Sequence, residues 1–271
     1  MRILIIGDVV GSSGRAVLNG NLPALRKKLK TDFVIVNGEN AAHGFGITGN
    51  ICDTFYQAGA DCITTGNHVF DQRDVLAQME RDEKILRPIN YPPDTPGKGY
   101  GIYKTEDGKR ILVANVMCRL FMELLDDPFR ALDDLLKRYR IGRDVDAIVF
   151  DVHGEATSEK QAIAHYVDGR ASVVVGTHTH VPTADTWVLP GGTAYQTDLG
   201  MTGDYDSVIG MKKDLSVQRF LTKGERIRLE PAGDDGTMCG CFVVLDDKTG
   251  LAKRIEPVRV GARLSETVPK A

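Results

Sequence analysis

Five short apolar runs, each ending in a polar residue beside glycine, organise the first two thirds of the chain. Arg2-Ile3-Leu4-Ile5-Ile6 leads into Gly7-Asp8, and Phe33-Val34-Ile35-Val36 into Asn37-Gly38-Glu39-Asn40. Asp61-Cys62-Ile63-Thr64-Thr65 leads into Gly66-Asn67-His68, and Ala147-Ile148-Val149-Phe150-Asp151-Val152 into His153-Gly154. Ala171-Ser172-Val173-Val174-Val175 leads into Gly176-Thr177-His178-Thr179-His180. Runs this short and this rich in β-branched residues predict buried strands. Glycine beside the polar residue lets the backbone turn tightly where the strand stops.

Between the runs the apolar spacing becomes helical. Leu18, Leu22, Leu25 and Leu29 predict a helix from about Gly14 to Lys30, with Pro23 marking a break or kink. Further helices are expected from Thr48 (Ile51, Phe55, Tyr56), over Asp71–Arg81, Pro128–Tyr139 and Ser158–Val167. Asn90 to Gly101 reads as a loop, with strands near Gly99–Lys104 and Ile111–Val116. From about Thr183 the pattern changes to short β-like runs: Thr186–Leu189, Thr193–Gln196, Ser216–Thr222, Arg226–Leu229, Cys239–Leu245 and Ala252–Val260. The expectation is an α/β chain forming a single domain over residues 1–271. Residues 1–180 would carry the strand-end chemistry, and 183–260 a mainly β, largely antiparallel second sheet.

Composition narrows the function classes. At 271 residues and 42% hydrophobic the chain has material for a large core. A formal charge of -3 argues against a general nucleic-acid binder. The run Ile3–Ile6 is too short for a signal-peptide core, and no apolar stretch approaches a membrane span. The five cysteines are scattered and odd in number, which predicts reduced thiols and a cytoplasmic protein. Cys239-Gly240-Cys241 lacks the second pair that a structural metal site needs.

The polar strand ends are the candidate site. Gly7-Asp8-Val9-Val10-Gly11-Ser12-Ser13-Gly14 has neither the spacing of a dinucleotide fingerprint nor the Lys-Ser/Thr of a phosphate-binding loop. Taken singly, Asp8 reads as a helix cap, Glu39 as half of a salt bridge, Asn67 as a turn residue and His68 as a satisfied histidine. Taken together, Asp8, Glu39, Asn40, Asn67, His153, His178 and His180 supply oxygen and imidazole ligands enough for two ions, provided one carboxylate bridges. His165 lies among helical apolar positions and reads as core or surface. His43, in a glycine-rich loop, reads equally as a substrate contact or as solvated.

In order and type, the blocks Gly7-Asp8, Gly38-Glu39-Asn40, Gly66-Asn67-His68, His153-Gly154 and Gly176-Thr177-His178-Thr179-His180 resemble the calcineurin-like metallophosphoesterases. Two departures stand out. Asp8-Val9-Val10 replaces the usual Asp-x-His, and Glu39 replaces the usual bridging Asp. With Gly38-Glu39-Asn40-Ala41-Ala42 and Gly44-Phe45-Gly46-Ile47-Thr48, they are similar to the YmdB-like bacterial subgroup. The resemblance implies a four-layer sandwich of two mixed sheets flanked by helices. It implies that Asn40 replaces the missing histidine, so that Asp8, Glu39, Asn40 and His180 hold one ion. Glu39, Asn67, His153 and His178 hold the other, with Glu39 as the bridge. The ions would be divalent or trivalent transition metals, iron or manganese, with zinc as the alternative. The implied activity is phosphodiester hydrolysis of 2′,3′-cyclic nucleotides by a hydroxide that both ions share, His68 protonating the leaving alkoxide. The alternatives are a phosphomonoesterase or nucleotidase on the same site, and a non-catalytic, metal-loaded regulatory protein. The expected partner is a small cyclic nucleotide or other phosphodiester, with no membrane and room for a homo-oligomer.

Overall fold

The fold was obtained as a computed structural model that describes residues 1–222, 224 and 226–270. Along the chain run β1 (Arg2–Ile6), α1 (Gly11–Leu29), β2 (Phe33–Asn37), α2 (Gly49–Ala58), β3 (Cys62–Thr64), α3 (Asp74–Arg81) and β4 (Ile85–Leu86). Then follow β5 (Tyr100–Lys104), β6 (Arg110–Met117), α4 (Pro128–Arg138), β7 (Ala147–His153), α5 (Thr157–Val167) and β8 (Val173–Thr177). The last elements are β9 (Trp187–Val188), β10 (Ala194–Gln196), α6 (Lys213–Leu221), β11 (Thr237–Leu245) and β12 (Ala252–Gly261).

Two six-stranded sheets result, ordered β12-β11-β1-β2-β3-β4 and β5-β6-β7-β8-β10-β9. In the first, β1 to β4 are parallel and the β11–β12 hairpin joins antiparallel to β1. In the second, β6, β7, β8 and β10 are parallel, with β5 and β9 as antiparallel edges. Both sheets are mixed and both are flanked by helices, as expected.

Strand alternation builds three apolar layers. Leu4, Ile6, Val34 and Val36 pack beneath Leu18, Leu22 and Phe55 of the helices over the first sheet. Ile3, Ile5, Phe33 and Ile35 face Ile111, Val113, Val149 and Val175 between the sheets. Leu112, Ala114, Ile148 and Phe150 meet Leu132, Leu135 and Ile163 over the second sheet. Because the central strands are buried on both faces, the sequence shows them as continuous apolar runs rather than alternating ones. All five cysteines are buried, four of them in these layers. Helix starts follow local rules: Thr48 Oγ1 accepts from the Ile51 amide at 3.4 Å, and Asp127 Oδ1 accepts from Phe129 N at 2.8 Å ahead of Pro128.

The C-terminal third differs from the expectation. Residues 183–260 do not form a second sheet of their own: β9 and β10 complete the sheet of β5–β8, whereas β11 and β12 extend the sheet of β1. Which sheet a hairpin joins depends on distant pairing, such as Ile5 with Cys241, which no local pattern encodes. Ser216–Leu221 belongs to helix α6, and Arg226–Leu229 forms no strand. The apolar residues Val217, Phe220 and Leu221 mimicked strand alternation, but they face solvent. Helix α1 starts at Gly11 and continues through Pro23.

Candidate metal centre

The face between the sheets changes character at the C-terminal strand ends. Two residues beyond Ile35, Cys62, Val149 and Val175, the same side of each strand presents Asn37, Thr64, Asp151 and Thr177, all buried. Asp151 Oδ2 accepts from Asn37 Nδ2 at 3.0 Å and from Thr64 Oγ1 at 2.5 Å, and its Oδ1 accepts from Thr177 Oγ1 at 2.7 Å. Burial pushes the Asp151 carboxyl upward, and these donors oppose the shift. Thr177 Oγ1 lies 2.9 Å from His153 Nδ1. With the hydroxyl proton committed to Asp151, His153 donates through Nδ1, which leaves Nε2 to the cavity beyond.

That cavity edge is where the expected residues meet. His153 Nε2 lies 3.2 Å from Glu39 Oε1, 3.1 Å from Asn67 Oδ1 and 3.1 Å from His178 Nδ1. On the other side of Glu39, Asn40 Nδ2 sits 2.9 Å from Glu39 Oε1 and 3.1 Å from His180 Nε2. His180 Nδ1 donates to the Ile209 carbonyl at 2.7 Å, so its Nε2 also faces inward. Two donor groups emerge, Glu39 with His153 and His178, and Asp8 with Glu39 and His180. Glu39 belongs to both. Asn40 turns its NH2 toward the cluster, and a half-turn of the amide presents Oδ1 instead. His165 is remote, exposed on α5 beside Trp187. Cys241 belongs to the inter-sheet layer, and Cys239 Sγ lies 3.2 Å from Tyr205 Oη.

Three observations fit this cluster to cations. Asp8 Oδ1 is fully buried without a hydrogen-bond partner, at 4.0 Å from His153 Nδ1 and 3.9 Å from His180 Nε2. A buried carboxylate oxygen left so is costly unless a positive charge meets it. Any side chain at Gly66 would collide with Glu39 Oε2 and His153 Nε2, so only glycine keeps that space open. Mixed imidazole, carboxylate and amide donors suit first-row transition ions.

The charges are strongly coupled. Burial raises Asp8 to about 6, against the pull of His180 and His153. Burial also works to raise Glu39, but the imidazoles of His153, His68 and His178 prevail and hold it at about 2. For His153 burial is outweighed by Glu39, which brings it to about 9. Burial and the neighbouring His153 depress His178 to about 3.

The loop that carries two of the histidines is held in strained backbone. His178 has φ 101° and His180 φ 66°, left-handed values that cost a non-glycine residue about 1–3 kcal/mol each. A buried ion pair clamps the loop: Lys160 Nζ contacts Asp198 Oδ2 at 2.8 Å and the Thr177 carbonyl at 3.1 Å. Asp198 Oδ2 also accepts from Thr179 N at 3.0 Å. Gly176 admits the Thr197 carbonyl where a Cβ would stand.

His68 stands apart from both donor groups. Its backbone amide points to Glu39 Oε2 at 3.3 Å, its Nδ1 lies 2.8 Å from Asp71 Oδ2, and the Phe45 ring meets its imidazole edge-on at 5.0 Å. Asp71 reads in the sequence only as the start of a helix, which in the structure begins at Asp74; its place three residues after His68 was a usable signal. Asp151 was visible as an acid inside an apolar run. Lys160 and Ile209 carried no such signal.

The chain is similar to known proteins over most of its length. Residues 4–258 match the family model described as YmdB-like protein. The chain is 46% identical to the 2′,3′-cyclic-nucleotide 2′-phosphodiesterase of Bacillus subtilis, over 96% of this chain and 97% of that protein. A crystal structure of a hypothetical protein from Thermus thermophilus superposes with TM-score 0.89 at 44% identity, covering 96% of this chain and 99% of that one. The calcineurin-like phosphoesterase YfkN from Bacillus subtilis shares the fold at TM-score 0.57 and 11% identity, over 96% and 90% of the two chains. Among the described residues no helix is long and apolar enough to cross a membrane.

Proposed function

The chain belongs to the YmdB-like family, and from that premise we propose that it is a metal-dependent phosphodiesterase that hydrolyses 2′,3′-cyclic nucleotides. The observation that carries the proposal is the sharing of Glu39 between two donor groups beside an imidazole that belongs to neither. Asp8, Glu39, Asn40 and His180 would hold one ion, and Glu39, Asn67, His153 and His178 the other, with iron or manganese as the preferred metals. When bound, such a pair supplies a hydroxide nucleophile at neutral pH and neutralises charge on the phosphate oxygens.

The remaining work falls to the chain's own side chains. His68 donates a proton from Nε2 to the departing ribose oxygen, while Asp71 at Nδ1 fixes the ring's tautomer and direction. Phe45 restrains the ring from the side. The relay from Asp151 through Thr177 keeps His153 Nε2 aimed inward, and Ile209 does the same for His180. A cyclic diester suits this arrangement, because the leaving oxygen stays tethered to the ribose and close to the acid. The homologous phosphodiesterase supports that substrate class.

Exhaustive chelation is expected to abolish turnover of 2′,3′-cyclic AMP and of bis-p-nitrophenyl phosphate, and manganese or iron to restore both. Full activity in a sample shown by elemental analysis to be metal-free would overturn the proposal.

A further inference from the structure

A cavity of about 1430 Å³ adjoins the site on the His68 side. It exceeds the roughly 300–1,000 Å³ that usually encloses a small ligand. One wall is His43, Phe45 and Gln72, and the Phe45 ring contacts His68. The lining also carries Arg219, Arg226 and Arg228, all exposed. Among the described lining residues the one carboxylate, Glu230, is engaged by Lys212 at 2.7 Å. Among the described residues none of the three arginines makes an ion pair. The arginine wall is tied to the centre: Ala232 N donates to Gly210 O at 2.8 Å, next to the Ile209 carbonyl that orients His180.

We propose that this cavity receives the upstream nucleotides of an oligoribonucleotide whose 3′ end carries the 2′,3′-cyclic phosphate. The proposal rests on the phosphodiesterase function above and narrows its substrate. Guanidinium groups suit backbone phosphates, and the half-buried Phe45 ring and the exposed imidazole of His43 suit bases. A mononucleotide has no phosphate to offer the arginines while its cyclic phosphate sits at His68. The chain's charge of -3 is compatible with capture of one strand end, since the positive charge is local to the cavity. In the reaction water adds to the terminal phosphorus and the bond to one ribose oxygen breaks. That oxygen takes the proton from His68, and a proton of the water replaces it. The products balance as a terminal phosphomonoester and a free ribose hydroxyl.

The test compares kcat/KM for 2′,3′-cyclic AMP with that for tetraadenylate ending in a 2′,3′-cyclic phosphate. The tetramer should be preferred about 10-fold or more at low salt. Three neutralised phosphates on a single strand give a log–log salt slope near -2, so a fourfold rise in salt, which at that slope weakens binding roughly 16-fold, should bring the preference close to one. In the triple variant Arg219→Ser/Arg226→Ser/Arg228→Ser the ratio of the two substrates should fall toward one. Fluorescence anisotropy with the 3′-phosphorylated tetramer should show weaker binding to that variant, with near-UV circular dichroism certifying its fold. Turnover of cyclic AMP with no preference for the tetramer overturns the inference alone, as does a preference that the variant keeps or equal tetramer binding. Absence of turnover for both substrates overturns the parent function and this inference with it.

Discussion

His68 and His178 lie within one cluster yet have different tasks. His68 has its Nδ1 on Asp71 and its ring 30% exposed, whereas His178 turns Nδ1 to His153 Nε2 at 3.1 Å. His68→Ala should therefore retain both ions but lower kcat on 2′,3′-cyclic AMP by roughly 10²–10⁴-fold, the span of a lost general acid. With bis-p-nitrophenyl phosphate the loss should shrink, since nitrophenolate leaves without help. His178→Ala should lose metal and fall on both substrates alike. Metal content measured beside both rates decides the matter: if His68→Ala sheds metal, or harms both substrates equally, the imidazole is a ligand or a structural group. At this scale the sequence was informative wherever a polar residue ended an apolar run, because burial of that run makes an unexplained carboxylate or imidazole conspicuous. It marked Asp71 only by its spacing from His68, and it was silent on Ile209, whose role arises from a carbonyl direction that no residue type encodes.

At the scale of elements, α5 acts on the centre from behind. Lys160 reaches from that helix to Asp198 and to the Thr177 carbonyl, fixing the loop that bears His178 and His180. Lys160→Met should cost about 3–5 kcal/mol in urea unfolding, because Asp198 is then left charged, buried and unpaired. Adding Asp198→Asn should recover part of the loss, since the surviving amide carries no charge. A cost below about 1 kcal/mol for Lys160→Met would show that the pair does not secure the loop. Elements longer than a few residues were legible because two-sided burial leaves unbroken apolar runs and one-sided burial leaves a helical stripe. β4 spans only Ile85–Leu86, too little for any pattern. α6 buries Ser216 and exposes Val217, Phe220 and Leu221, which reverses the signal.

At the scale of the whole molecule, the layer between the sheets decides how the protein comes apart. Ile5 and Cys241 of one sheet share that layer with Val149 and Val175 of the other, so each sheet exposes one of its two apolar faces if they separate. The residue types of this layer were readable in the sequence, but the joining of β11 to β1 was not, since it links opposite ends of the chain. The buried cysteines turn this architecture into a clock. Cys52 and Cys62 lie in the first sheet and its helices, Cys118 in the layer over the second sheet, and Cys239 and Cys241 in the C-terminal hairpin. Burial raises all five thiols above their ordinary range, Cys239 to about 11, so an aqueous disulfide reagent must wait for the chain to open. All five should react with one common rate constant: the global opening rate when the reagent is fast, or the reagent's own rate multiplied by the global opening equilibrium when it is slow. Added metal should slow every thiol by the same factor, the product of 1 + [metal]/Kd for each of the two sites when opening is at equilibrium. Two classes of thiol, fast in one sheet and slow in the other, would instead mean that the sheets open independently. Under the expected behaviour, an ordinary colorimetric thiol assay reports occupancy of the centre without any substrate.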